Sequence, residues 1–430
     1  MRKLLGRTFR KRMKKKLRIT INSDINQAID GNYNFLCKWM GENGYKPSKK
    51  LKPKYFQDTG RGLMTKEKIY SGDTILCIPE KLLITAKVIL KSEFGECIKK
   101  YCSGASGHQI LSVFLMFEKA KGEASEWYHY IKTLPLAYDI PAFYGSQCLS
   151  TIPSFIQERA LKQIEAIKES YVHLKLFFYH LEQLFPFTKG NVNFDVYKWA
   201  WCAVNTRCIF IDCFKENCIG KSCLFHLALA PFLDLLNHNI DVQVQAGFNQ
   251  ESKQYEIISL CGFEKNSQVF INYGSHDNYT LFLEYGFVTP NNYNDSILFS
   301  VDDILLAYKQ CQLPSQSLDS KLKFILENNL IKNMVCSCDG LSWNLKVVLK
   351  VLITECNIRL WKSKLCKYSE LEMECDSLKK ICRELFQIKF QQLTENSDDK
   401  IKYVCDNSNF QEQIAQLLII TKSIVMKFME

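Results

Sequence analysis

An asparagine, a histidine and a tyrosine stand at the ends of apolar runs. Leu227 to Leu233 leads into Asp234-Leu235-Leu236-Asn237-His238-Asn239, and Gln268 to Asn272 leads into Tyr273-Gly274. A third piece, Leu281-Phe282-Leu283-Glu284-Tyr285-Gly286-Phe287, closes the group. Amide, imidazole and phenol groups gathered at strand tips suit a polar ligand. Taken alone they also suit a histidine-centred hydrolase or a metal site. Tyr273 reads equally as a reactive phenol and as a core tyrosine that ends a strand.

The elements that must position these groups come in three blocks. Thr59-Gly60-Arg61-Gly62-Leu63-Met64 is followed by the strand Thr74 to Ile78, ended by Pro79, with Ser71-Gly72-Asp73 as the turn between them. Two glycines one residue apart let the main chain approach a ligand or strand closely, although Gly-x-Gly alone reads as a plain turn. From 81 to about 200 strand alternation is absent. Ile110 to Phe117, Phe155 to Ile167, Tyr171 to Phe185 and Tyr197 to Val204 read as helices, with Trp127, Tyr128, Tyr130 and Pro135 in a packed connector. This is a helical insertion before the strand-rich stretch from 207 to 274. His129, His173 and His180 lie in it without nearby carboxylate or cysteine ligands, so structural roles are expected.

Asn32 to Asn43 puts Phe35, Leu36, Trp39 and Met40 on one helical face. From about 300 the pattern is helical again: Asp302 to Lys309, Leu318 to Glu327, Trp343 to Trp361, Tyr368 to Leu393 and Phe410 to Phe428. Val347, Val348, Val351 and Leu352 form one stripe; Leu371, Leu378, Ile381 and Leu385 form another. A separate helical C-terminal domain is expected. No internal repeat stands out.

A chain of 430 residues, 47% apolar and 13% aromatic, allows two or three domains with a large core. The net charge of +11 is concentrated at one end: residues 1 to 18 hold ten Lys or Arg and no acid, leaving 46 basic against 45 acidic groups elsewhere. The tail, about 1 to 30, reads as a solvated arm, a nuclear-import patch or a nucleic-acid contact, with import ahead of nucleic acid. Its charges run through where the apolar core of a signal peptide would stand. The body lacks a basic stripe with interleaved aromatics, so sequence-specific nucleic-acid binding is not expected. No run of eighteen apolar residues occurs, and membrane association is not expected. The 19 cysteines, an odd count, fit free thiols in a reducing compartment. Cys208, Cys213, Cys218 and Cys223 recur every five residues without a tight pair, so no metal is expected. Cys336-Ser337-Cys338 reads as a loop.

In order, Thr59-Gly60-Arg61-Gly62-Leu63, Asn205-Thr206-Arg207, Asp234 to Asn239, Tyr273-Gly274 and Glu284-Tyr285-Gly286-Phe287 resemble the SET-domain protein methyltransferases. Trp199 to Arg207 and Tyr273 to Asn278 resemble the subgroup of the Rubisco large-subunit lysine methyltransferase. The resemblance covers roughly 33 to 430. It implies an α+β fold: a SET-domain β-fold with a pseudoknot over 33–290, a helical insertion over about 85–195, and an all-α substrate-binding domain over 300–430. The pseudoknot would thread the segment after Tyr273 beneath Asp234 to Asn239. Three departures accompany it. Asn239 replaces the usual serine, Asn266-Ser267 replaces a Gly-Glu turn, and the cysteine-rich zinc module after the domain is missing. Asn266 is expected to take the left-handed conformation a glycine would take.

The resemblance further implies S-adenosylmethionine (AdoMet) as cofactor and a protein lysine, in a histone or another protein, as methyl acceptor. Tyr273 would be the catalytic phenol, near the methyl group and the acceptor nitrogen. Thr59, Gly60, Arg61 and Gly62 would form the loop under the methionine part, and Arg207 would meet the cofactor carboxylate. Asn237 and His238 would hold polar ends of the cofactor, and Asp234 would brace the knot beside it. Tyr285 and Ile271 would line the acceptor channel. A histidine acceptor keeps the same fold; a non-enzymatic adaptor is the alternative from another class. A monomer in nucleus and cytoplasm completes the expectation.

Overall fold

A computed structural model describes residues 31–46, 50–102, 104–144, 149, 152, 154–211, 226–313, 318–353, 376–395 and 408–429. The chain divides into two compact units, Met1–Tyr138 with Glu165–Gly274, and Asp139–Ile164 with Ser275–Glu430.

The strands of the first unit are β1 (Leu51–Phe56), β2 (Gly60–Thr65), β3 (Thr74–Pro79), β4 (Ile84–Thr85), β5 (Cys208–Phe210), β6 (Leu227–Leu229), β7 (Asn237–His238), β8 (Val244–Asn249), β9 (Gln254–Ser259) and β10 (Gln268–Ile271). They form three small sheets, ordered β1-β2-β10-β7, β3-β9-β8 and β4-β6-β5. β9 buries Tyr255, Ile257 and Ser259 and turns the alternate residues outward, the period-two pattern of a half-buried strand. β10 lies antiparallel to β2 and parallel to β7, pairing Phe270 with Asn237 and Ile271 with His238. That parallel pair brings the two polar strand ends side by side. Asn266 has φ +65°, as the sequence predicts for the turn before β10.

The helices of nine residues or more among the described residues are α1 (31–42), α2 (Glu93–Tyr101), α3 (Gly107–Lys121), α4 (Ser154–His173), α5 (Lys175–Leu184), α6 (Phe194–Arg207), α7 (Val301–Gln310), α8 (Leu318–Glu327), α9 (Trp343–Ile353), α10 (Asp376–Glu395) and α11 (Ser408–Met429). α3 opens on a reciprocal cap, Ser106 with Gln109. Phe94 of α2 stacks on Phe117 of α3 with centroids 4.2 Å apart, the aromatic centre of the helical insertion. α4 corrects one expected boundary: it runs unbroken past Ile167, and the chain breaks at Leu174 instead. No glycine or proline interrupts residues 154 to 173, so nothing stops the helix earlier. His180 stacks on Tyr101 at 3.8 Å and His129 on Phe35 at 6.0 Å.

In the second unit Val347, Val348, Val351 and Leu352 of α9 and Leu378, Ile381 and Leu385 of α10 enter one apolar core with Phe299, Phe324 and Phe410. The stripe's Leu371 lies outside the described residues, as do the ends of the expected helices at 354–375. Lys389 reaches the carboxylate of Asp303 at 2.8 Å inside this unit, both nearly fully buried. The stretch at Cys336 is a correction. It is not a loop but β12 (Val335–Ser337), paired with β11 (Ser296–Leu298) and β13 (Gly340–Leu341), so a small sheet accompanies the helices. Cys213, Cys218 and Cys223 are outside the described residues. Among the described residues no His, Cys, Asp or Glu cluster has the makings of a metal site, and no helix is long and apolar enough to cross a membrane.

Candidate active site

The Thr59–Gly62 stretch is the tip of the β1–β2 hairpin, and three strands converge on it. Gly60 holds φ +70°, a conformation that favours glycine, and a Cβ there would stand in open space. Gly62 is the opposite case: a Cβ would lie 2.6 Å from Nε2 of Gln268 and 2.9 Å from Nδ2 of Asn237. The Asn237 amide donates to the carbonyl oxygens of Arg61 at 3.0 Å and Thr59 at 3.4 Å. The Thr59 hydroxyl donates to Oε1 of Gln268 at 2.9 Å. Two carboxamides, one from β7 and one from β10, thus straddle a glycine.

Behind the hairpin lies a buried charged cluster. Arg207 ends α6, and its Nη1 donates to the carboxylate of Asp234 at 3.1 Å and to that residue's carbonyl at 3.0 Å. Tyr130 donates to the same carboxylate oxygen at 3.1 Å. Burial opposes the Arg207 charge, but the Asp234 carboxylate together with Tyr138, Tyr130 and Tyr33 outweighs it and holds the guanidinium above the usual arginine range. Arg61 donates to the carbonyl of Thr133 at 2.6 Å. Burial raises the Tyr33 phenol, on which the charges of Arg61, Asp234 and Arg207 also act. Nε of Arg207 is buried with no hydrogen-bond partner among the described residues. The turn that delivers Asp234 begins at Phe232, a buried side chain at φ +70°, a strained conformation for an aromatic residue.

At the strand ends, the Tyr273 main-chain N–H donates to Nδ1 of His238 at 3.1 Å, and the two rings lie 5.2 Å apart. Accepting that bond makes Nδ1 the bare nitrogen of a neutral ring, with the proton on Nε2. The Tyr273 hydroxyl donates to the carbonyl of Leu236 at 2.8 Å. Asn272 donates to the Ile240 carbonyl and accepts from the Gly274 N–H, closing the turn after β10.

The structure therefore brings Thr59, Gly60, Arg61, Gly62, Arg207, Asp234, Asn237, His238, Ile271 and Tyr273 into one unit. Tyr285 belongs to the other, on a single wide turn Leu281–Tyr285 ended by Gly286 at φ +82°. Its ring meets His276 at 5.8 Å. Sequence reasoning did not find Gln268, Tyr130, Tyr33 or the Leu236 carbonyl. Tyr130 was visible only as part of a packed connector, and Gln268 only as the first residue of a strand.

A set of small sheets around a glycine hairpin, with asparagine, histidine and tyrosine at paired strand ends, defines the SET class. The SET domain family matches residues 60–274, and this chain belongs to it. The chain is 34% identical over 369 residues to SET domain-containing protein 4 of Homo sapiens, covering 84% of this chain and 82% of that protein. It is 28% identical over 274 residues to actin-histidine N-methyltransferase of Rhinolophus ferrumequinum, covering 61% of this chain but 43% of that protein. A solved structure of the SET domain of LSMT, bound to lysine and AdoHcy, superposes with a TM-score of 0.67 over 93% of this chain and 90% of that one. At 20% identity that likeness shows the fold.

Proposed function

We propose that this SET-domain methyltransferase transfers a methyl group from AdoMet to a lysine side chain of a protein. The observation that carries the reading is Tyr273: its hydroxyl proton is fixed on the Leu236 carbonyl at 2.8 Å, beside His238. The residues present fit AdoMet. Gly60 leaves the hairpin's main chain open to a ligand, and Arg207, whose buried Nε has no hydrogen-bond partner among the described residues, suits a ligand carboxylate. Asn237, His238 and the Thr59–Gly62 loop would hold its other polar groups. AdoMet supplies an electrophilic methyl on a sulfonium. Lysine as acceptor is supported by the likeness to LSMT, which is bound to lysine in its solved structure.

Each residue then has a definite task. An acceptor ammonium entering a site with a neighbouring cation and little water loses its proton more readily, because both disfavour its charge. The Tyr273 hydroxyl points its hydrogen at the Leu236 carbonyl, so its oxygen presents lone pairs to polarised C–H groups and to the amine. The Asn237 clamp fixes the hairpin before ligand arrives, so alignment costs less entropy. His238 is a positioning residue: Nδ1 is engaged by the Tyr273 amide and the other nitrogen carries the proton, so the ring is not set up as a base.

A histidine acceptor is the second reading, favoured by the similarity to actin-histidine N-methyltransferase. Histone and non-histone proteins are both proposed as substrates. The test offers labelled AdoMet and a nuclear protein extract to wild type and to Tyr273→Phe. Label transfer in wild type and at least a hundred-fold less in the variant is expected. Neither AdoMet binding nor transfer in wild type would overturn the reading. Mass spectrometry of the labelled side chain decides between lysine and histidine.

A further inference from the structure

We infer that Gln268 is a positioning residue that sets the cofactor hairpin against the strand carrying Tyr273. Gln268 opens β10, five residues before Tyr273, and its backbone lies opposite Met64 of β2. One edge of its carboxamide holds the Thr59 hydroxyl at 2.9 Å. The other edge lies over Gly62, where it has no hydrogen-bond partner among the described residues and is shut off from solvent. Exchanging the amide's oxygen and nitrogen leaves this geometry the same: one edge on Thr59, one on Gly62. A buried amide edge without a partner is unfavourable, so it persists only where the rest of the side chain is tightly held. Here the holding is done by Thr59 on one side and Asn237 across the glycine, whose amide bonds Arg61 and Thr59.

The geometry works as a spacer. The Thr59–Gly62 loop cannot sink toward β10, because Gln268 fills the space a Cβ at Gly62 would take. It cannot lift away without breaking the Thr59 and Asn237 bonds. Gln268 thereby couples the height of the loop to the strand that ends in Tyr273, two parts of the chain 209 residues apart at Thr59 and Gln268. The inference rests on the reading of this loop as the AdoMet cradle, but the coupling itself exists in the free protein.

Two measurements test it, using the full chain and Gln268→Met, which keeps the length and removes the amide. Hydrogen exchange without cofactor is expected to speed up at least ten-fold in peptides spanning Phe56 to Leu63, and to stay unchanged across β8 and β9. Calorimetry is expected to show AdoMet affinity falling about ten-fold, and the KM for AdoMet to rise by more than kcat falls. Thr59→Val should give the same loss, and the double variant no more than either single one, since both break one contact. Unchanged loop exchange, or exchange that speeds up throughout the unit with a lower melting temperature, would overturn the inference. If wild type binds no AdoMet, the cofactor reading fails while loop exchange still decides the role of Gln268.

Discussion

Tyr273 and His238 are joined through main chain on one side and ring nitrogen on the other, N to Nδ1 at 3.1 Å. Because β7 and β10 run parallel, with His238 opposite Ile271, the imidazole reaches past the pair to the amide two residues on. That bond fixes where the Tyr273 backbone turns out of the sheet. It acts together with the hydroxyl's bond to Leu236, which lies two residues before His238.

His238→Ala should therefore impair transfer although the ring is not a base. The half-buried Tyr273 amide would lose its acceptor, costing about 1–2 kcal/mol of stability. Transfer under saturating AdoMet is expected to fall at least ten-fold. His238→Asn places a side-chain oxygen near the position of Nδ1 and should recover part of both losses. Equal defects in the alanine and asparagine variants, in urea melts and single-turnover assays, would count against the positioning role.

The Arg207–Asp234 pair invites a stronger effect. The two side chains are only 16% and 4% exposed, so neither can be rehydrated in place. Asp234→Asn leaves a buried guanidinium without its counter-charge and should cost about 3–5 kcal/mol. Tyr130→Phe removes one neutral donor from the same oxygen and should cost about 1 kcal/mol. Combining them is expected to give less than the sum, since both act on a single carboxylate. Additive losses in chemical denaturation would contradict a shared network.

Much of this site was legible because its parts are strand ends with unusual residues, arranged in a recognisable order. Asn237, His238 and Tyr273 each follow an apolar run, and Asn266 shows its left-handed turn by residue type alone. Gln268 was not legible, since its task exists only when it meets Thr59. Tyr130 and Asp234 are likewise 104 residues apart, and no local pattern links them. β12 escaped because three residues with a single buried side chain, Cys336, give no alternation to detect. The run of α4 past Ile167 shows the reverse error, in which a weakened apolar stripe was read as an end where nothing stops a helix.

Two buried aspartates of the second unit should respond to pH with opposite signs. Asp295 accepts from the main-chain and side-chain amides of Asn278, each at 2.7 Å, yet burial pushes its carboxyl up from 3.8 to about 6. A raised value favours the protonated form in the folded state. Its contribution is full below the ordinary carboxyl value and is lost as pH rises through about 6. Relative to Asp295→Asn, wild type should lose on the order of 3 kcal/mol across that window. For Asp303 burial pushes up as well, but Lys389 and the bonds from Ser300 and Gln392 outweigh it and hold the carboxyl below 3.8. Its contribution is present above that value and lost as pH falls below it. At neutral pH Lys389→Met should cost about 3–5 kcal/mol, because it leaves a buried carboxylate unpaired. Urea melts from acid to neutral pH check both signs, and a common sign would refute the assignment.

The basic stretch calls for a different assay, since its chemistry is charge density. Residues 1 to 18 hold ten Lys or Arg and no acid, while the remainder is close to neutral. Dense basic runs of this kind are read by import receptors and also bind polyanions. Import is the expected role, because a nucleic-acid role would be supported by a basic face with aromatics on the body, and the sequence has none. Fusing residues 1 to 18 to a fluorescent protein should concentrate it in the nucleus, and deleting them from the full chain should shift it toward the cytoplasm. Replacing Lys11, Arg12, Lys14, Lys15 and Lys16 with glutamine should reproduce the deletion, since it removes charge and keeps length. An unchanged distribution in the deletion would rule the import role out. Loss of nuclear signal only after nuclease treatment of permeabilised cells would instead show retention on nucleic acid.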